Sequence, residues 1–322
     1  MAIALGPKGF SIRNCMGQFK SLVRESHSVR ELNGVPILHQ LVVMHHGSKY
    51  KTTPMRLALH DFLGDAPFFG YTRYTLTPKI AVISTNEAGN KPIIIASYNR
   101  SDNATNSDKR AAYEFSRAPD PSMDFNLWEA AAATMSTPYL FKAFQHPSTQ
   151  LNYVDGMHHK SNPVMTAQNE SRVLWPDTAE LPPDILLSLG SGQNRNKKDQ
   201  RKDILDAEQE WRGFVNSIPD GVKRDGCRFV RINPDLGEEL PHIDAVAECH
   251  SLKNNISQQL MAIGLETGVR NVAWKLVATT FYFHMTSDMT VGSDGRCRVM
   301  GKISTFCGQI PTELTNCRQD SL

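Results

Sequence analysis

An aspartate followed by glycine, Asp155-Gly156, ends the apolar run Tyr153-Val154 and opens a short loop that closes on Asn162-Pro163. A carboxylate delivered by a strand onto a glycine turn suits a general base, because the backbone must bend sharply if the side chain is to face a cleft. The same dipeptide is also an ordinary turn signal, and alone it decides nothing. Other chemically capable residues make weaker candidates. His158-His159 sit within the loop, where neighbouring side chains diverge, so they read as solvent-exposed and receive no role. Ser191, in Leu189-Gly-Ser-Gly192, is the only glycine-flanked serine following a strand-like run, and no Gly-x-Ser-x-Gly occurs in the chain. The six cysteines are dispersed without a C-x-x-C pair, which suits reduced thiols in the cytosol. Cys249-His250 and the ten-residue spacing of Cys297, Cys307 and Cys317 are looser than zinc ligation uses, so no metal is expected.

The elements that must position Asp155 alternate in type. Ser11 caps a helix over Ser11–Arg24, whose apolar positions Ile12, Cys15, Met16, Phe19, Leu22 and Val23 follow the helical spacing. A second helix starts after Thr53-Pro54 and ends at Gly64. Lys79–Ser84 and Lys91–Tyr98 are β-branched runs separated by the turn composition Glu87–Asn90, which predicts a hairpin. Asn99–Asp108 reads as a loop, and Phe125–Ala133 as an alanine-rich helix stopping near Thr137-Pro138. Another helix follows Pro163. Asp184–Leu189 reads as a buried strand, with helices at Ile204–Val215 and Ile243–Leu265 and a terminal hairpin over Val291–Phe306. Strands alternating with helices favour a layered α/β sheet.

Composition sets the class. The chain has 322 residues, 40% of them apolar and 21% charged, with a formal charge of +2, so it is globular and carries no nucleic-acid footprint. No apolar run approaches the roughly 20 residues that span a bilayer. The first ten residues make a poor signal peptide, and cytoplasmic residence is the expectation. The cluster Arg195, Lys197, Lys198, Arg201 and Lys202 reads as a solvated loop, with attraction to anionic lipid headgroups as the alternative.

Four blocks, in order, carry a resemblance. Tyr153-Val-Asp-Gly-Met-His-His-Lys-Ser-Asn-Pro-Val164 resembles the aspartate motif of the patatin-like phospholipases. Trp128-Glu-Ala-Ala-Ala-Ala-Thr-Met-Ser-Thr-Pro138, followed by Phe141, resembles the helix that packs beside the active site in that family, and Ile185–Gln193 its late core strand. Lys79–Tyr98 and His45–Tyr50 resemble the large fungal multidomain members in particular. The blocks cover about residues 1–217, leaving 218–322 as a C-terminal extension to which the resemblance gives no separate activity.

The resemblance implies a three-layer α/β/α sheet and acyl-ester hydrolysis of lipids or phospholipids by a serine–aspartate dyad, with no cofactor and no metal. It makes Asp155 the base and Gly156, Asn162 and Pro163 the support of the aspartate motif. Met-Ala-Ile-Ala-Leu-Gly6 is similar to the helix that leaves the nucleophile elbow, so the serine, the glycine-rich oxyanion loop and their central strands are expected upstream of Met1. These residues alone are then inactive. The alternatives are a non-catalytic lipid-binding or regulatory module of a larger protein and a truncated gene model. The position of Ser191 is not catalytic in the family. Departures at Met157, Ser161 and Met135-Ser-Thr137 fall beside the expected pocket. Peripheral membrane contact is implied, and Lys79–Ser84 and Asp184–Leu189 are expected as central strands left open by the missing segment, which would make the isolated chain prone to aggregate.

Overall fold

The computed structural model describes residues 1–30, 36–70, 78–86, 91–100, 112–156, 161–193, 202–223, 228–237, 248–262, 265–287, 290–291 and 297–305. In chain order the elements are α1 (Ala2–Leu5), α2 (Ile12–Ser26), α3 (Pro36–His46), α4 (Thr52–Leu63), β1 (Ala81–Asn86), β2 (Pro92–Ala96), β3 (Glu114–Ser116), α5 (Leu127–Met135), β4 (Phe144–Gln145), β5 (Asn152–Asp155), α6 (Val164–Leu174) and β6 (Leu186–Leu189). They continue as α7 (Lys202–Ser217), α8 (Asp220–Lys223), β7 (Phe229–Ile232), α9 (Cys249–Ala262), α10 (Leu265–Ala278), β8 (Phe281–Met285), β9 (Thr290–Val291), β10 (Cys297–Arg298) and β11 (Gly301–Thr305). Contacts divide the chain into two units, one of Met1–Leu181, Gly192–Ser217 and Asp235–Asn254, the other of Pro182–Ser191, Ile218–Pro234 and Asn255–Leu322.

The first unit is built on a five-stranded sheet in the order β3-β2-β1-β5-β4. Its pairings are antiparallel except for β2 with β3, which is parallel. The predicted hairpin is present, with β1 and β2 in register from Ala81 opposite Ala96 to Thr85 opposite Pro92. Strand β2 is buried along its whole length, as a strand covered on both faces must be. Its alternating side chains show the two layers. Ile93 and Ile95 join Met55, Leu59, Leu63, Leu127 and Ala130 of α4 and α5, whereas Ile94 and Ala96 pack with Tyr98, Tyr113 and Leu174 of α6. Helices thus lie on both faces of the sheet, and the mixed α/β class read from the sequence is the one observed.

Two expectations about the strands are corrected. Lys79–Ser84 was expected as a strand left open, but β1 has β2 on one side and pairs with β5 on the other through Ser84–Asn86. Asp184–Leu189 was expected in the core of the same sheet. Its observed portion, β6, pairs with β7 in parallel within the second unit, and Leu189 is 70% exposed. An unbroken apolar run does not distinguish a strand covered on both faces from one whose alternate residues meet solvent. The terminal hairpin is two-tiered: β9 pairs with β10, and β8 with β11 outside it. Residues 243–247 of the predicted late helix lie outside the described residues, and α9 covers Cys249–Ala262.

Polar groups hold α6 to its face of the sheet. Glu170 accepts hydrogen bonds from Tyr98 Oη at 3.0 Å and Tyr113 Oη at 2.8 Å, and its carboxylate pairs with Arg100 at 2.5 Å. The Arg100 and Glu170 side chains are almost fully buried, and burial, with Glu170 adding to it, pushes the Tyr98 phenol upward. Removing one partner of a buried pair strands the other charge in a medium of low polarity. Glu170→Ala should therefore lower the unfolding free energy by about 3–5 kcal/mol in urea titration, with Tyr113→Phe costing about 1 kcal/mol.

Candidate active site

Four alanines, Ala130–Ala133, occupy the middle of α5, and all are buried. Small side chains let this helix lie close to β1 and β5. Glu129 starts the helix by accepting the Asn126 N–H at 2.8 Å. At the other end, hydroxyls close the helix on itself and join it to the strands. Thr134 Oγ1 donates to the Ile83 carbonyl at 2.7 Å, and Ser136 Oγ to the Ala132 carbonyl at 2.8 Å. Ser84, fully buried on β1, lies 2.7 Å from the Val154 carbonyl and 3.1 Å from that of Ala133. Its single hydrogen serves either acceptor and links β1, β5 and α5 at one point.

Asp155 ends β5 at this junction. Its backbone N–H donates to the Ser136 carbonyl at 3.1 Å, and its half-buried side chain accepts the Thr137 hydroxyl at Oδ2, 2.9 Å away. The carboxylate is thereby oriented by the two residues that follow α5. Gly156 follows without a left-handed backbone angle. Glycine is required there by proximity: a Cβ would stand 2.6 Å from Ile83 Cγ2 and 3.1 Å from the Ile83 carbonyl carbon. The sequence-based reason, a tight turn, is replaced by the close approach of β1.

Residues 157–160, with Met157, His158 and His159, lie outside the described residues, and the chain resumes at Ser161. Asn162 is buried and ties two helices. Its Oδ1 accepts the Val164 N–H at 3.3 Å, its Nδ2 donates to the Ala207 carbonyl at 3.3 Å, and its backbone N–H donates to Glu210 Oε2 at 2.5 Å. Pro163 stands at the N-cap of α6 with φ −78°, a value its ring accepts without strain. Asn162 thus fixes the start of α6 to α7, a partnership across more than forty residues that no local signal announced.

Of the remaining candidates, Ser191 is exposed after β6, where Gly190 packs against the Asn233 side chain. Arg195, Lys197, Lys198 and Arg201 lie outside the described residues, and Lys202 begins α7. Among the described residues no group of three or more His, Cys, Asp or Glu side chains is placed to hold a metal ion. No described helix is long and apolar enough to cross a membrane. Sequence reasoning missed the roles of Ser84, Thr134, Ser136 and Thr137. Their signal was present as hydroxyl residues on a strand and at the end of an alanine-rich helix.

No protein-family model matches the chain. It is 25% identical over 293 residues to phospholipase A I of Arabidopsis thaliana, an alignment covering 78% of this chain and 20% of that protein. It is 31% identical over 145 residues to probable inactive patatin-like protein 9 of Arabidopsis thaliana, covering 41% of this chain and 35% of that one. The chain therefore spans about a fifth and about a third of the lengths of these two relatives.

The geometry predicts unequal costs around Asp155. Gly156→Ala forces β1 and β5 apart and should destabilise by about 1–3 kcal/mol. Thr137→Val keeps the shape, removes one hydrogen bond to a carboxylate and should cost about 1.5–3 kcal/mol. Equilibrium unfolding in urea measures both.

Proposed function

We propose that this chain forms part of a patatin-like lipid acyl hydrolase of the fungal multidomain type, with residues 1–217 as the hydrolase-like domain and 218–322 as an extension. Asp155 is the base of a serine–aspartate dyad. The reading rests on one observation above the rest: the Asp155 carboxylate ends a sheet strand where β1, β5 and α5 meet, half-buried and held in one orientation by the Thr137 hydroxyl at 2.9 Å, as a positioned carboxylate base must be. Of the relatives, one is named a phospholipase, which supports it, and the other a probable inactive patatin-like protein, which supports the family likeness without the activity.

In this mechanism the carboxylate takes the proton of a serine hydroxyl as the oxygen attacks the ester carbonyl of a lipid. The alcohol leaves with a proton and an acyl-serine remains. Water, deprotonated by the same carboxylate, then releases the fatty acid. The chemistry uses neither metal nor organic cofactor. Gly156 keeps β5 tight against β1, and Asn162 with Pro163 anchors the far side of the loop on α6 and α7. The substrate is a lipid or phospholipid reached by peripheral contact with a membrane, from the cytoplasmic side.

Two features favour a second reading, a non-catalytic lipid-binding or regulatory module. One relative is named probable inactive, and Thr137 already donates to Asp155, so a serine hydroxyl must compete for the carboxylate. Hydrolysis of p-nitrophenyl butyrate separates the readings. The 322-residue chain should show no turnover, whereas a chain preceded by a Gly-x-Ser-x-Gly elbow should be active and lose about 10²–10⁴-fold on Asp155→Asn. Persistent inactivity of the extended chain would establish the non-catalytic module. Turnover by the 322 residues that vanishes in Ser191→Ala would place the nucleophile elsewhere.

A further inference from the structure

Helix α2 carries more apolar surface than the described residues cover. Its inward side places Cys15 and Ser26 in buried positions, and it packs along α4. Beside that buried stripe Ile12, Met16 and Phe19 follow each other at spacings of four and three, and they are 65%, 45% and 44% exposed. Next to them run Arg13, Lys20 and Arg24, all exposed, within about 40° of one another around the helix. None of these three cations is ion-paired among the described residues. The only acid on the helix, Glu25, accepts the Ser21 hydroxyl at 2.6 Å and faces away from the cationic column.

The geometry points to α2 as a docking helix for an anionic lipid surface. An exposed apolar row bordered by cations is the distribution with which an interfacial helix works: the apolar side chains enter the boundary between headgroups and acyl chains, and the cations meet lipid phosphates and carboxylates. A second copy of this chain is a poorer occupant. Packed antiparallel on the same row, it would set two columns of cations side by side with no acid between them. The assignment deepens the lipid reading above, from which it takes the need to reach an insoluble substrate, and it is tested without hydrolysis.

Co-sedimentation of the full chain with vesicles decides it. We expect binding to phosphatidylcholine vesicles doped with phosphatidylserine and little binding to phosphatidylcholine alone. Arg13→Gln/Lys20→Gln/Arg24→Gln should weaken binding about a hundredfold, roughly fivefold for each cation removed. Phe19→Ser should weaken it in the same assay. A control with the same change in net charge, Lys142→Gln/Arg172→Gln/Lys302→Gln, should bind as the parent does. Equal loss in the control would overturn the proposal by showing a response to net charge alone. Undiminished binding of the α2 triple variant would overturn it as well, as would a dimer in sedimentation velocity that Phe19→Ser dissolves. Far-ultraviolet circular dichroism confirms that each variant is folded. Failure here leaves the turnover assay untouched, so loss of the docking surface and loss of the hydrolase reading are separate results.

Discussion

Close approach of α5 to β1 and β5 is the constraint on which the arrangement around Asp155 depends. Alanines at 130–133 remove the bulk that would hold the helix away, and Gly156 removes the Cβ that would strike Ile83. Once the backbones are this near, their polar groups need partners, because an unsatisfied buried donor or acceptor costs about 1–3 kcal/mol. Ser84, Thr134, Ser136 and Thr137 provide them. Three of those hydroxyls serve backbone carbonyls and the fourth serves Asp155. The bond that orients the carboxylate is thus one of a set that the packing demands in any case.

On the opposite face the sheet is held by charge. Arg100, Tyr98 and Tyr113 converge on Glu170, and Arg117 reaches Asp124 and the carbonyls of Ala96 and Tyr98 while its guanidinium covers the Phe69 ring. These groups neutralise one another where water is excluded, so each is costly to remove singly. The two faces divide the work. Hydroxyls and small residues bring α5 to the site, and the buried charges secure α6, whose first turn Asn162 ties to α7.

The first unit also offers a continuous path from surface to site. Helix α2 packs on α4, α4 on α5, and α5 on β1 and β5. Its outer member carries the exposed apolar row and its cations, and just past the end of its inner member lies the threonine that touches Asp155. If both proposals above hold, an interfacial helix and a carboxylate base share one packed stack, an arrangement suited to chemistry on a substrate that does not leave its membrane. The relatives are several times longer than the part of each that aligns with this chain.

Much of the local structure was legible in the residues themselves. Ser11 caps α2, Gly64 ends α4 at φ +75°, and the β-branched runs around Glu87–Asn90 form the antiparallel pair, because capping, left-handed backbone and strand propensity act over a few neighbouring residues. The Asp155-Gly156 and Asn162-Pro163 pairs were legible as a motif. What the sequence left open concerned partners distant along the chain. Asp184–Leu189 looked like a core strand, since apolar content reports neither which sheet a segment joins nor whether both of its faces are covered. Gly156 looked like a turn residue, and only the packing of β1 shows a close approach. Thr137 looked like a departure from a small-residue run, and tertiary structure makes it the donor to Asp155, eighteen residues on. Local rules determine which elements form. The contacts that orient a functional side chain are closed between elements, and only the folded chain decides them.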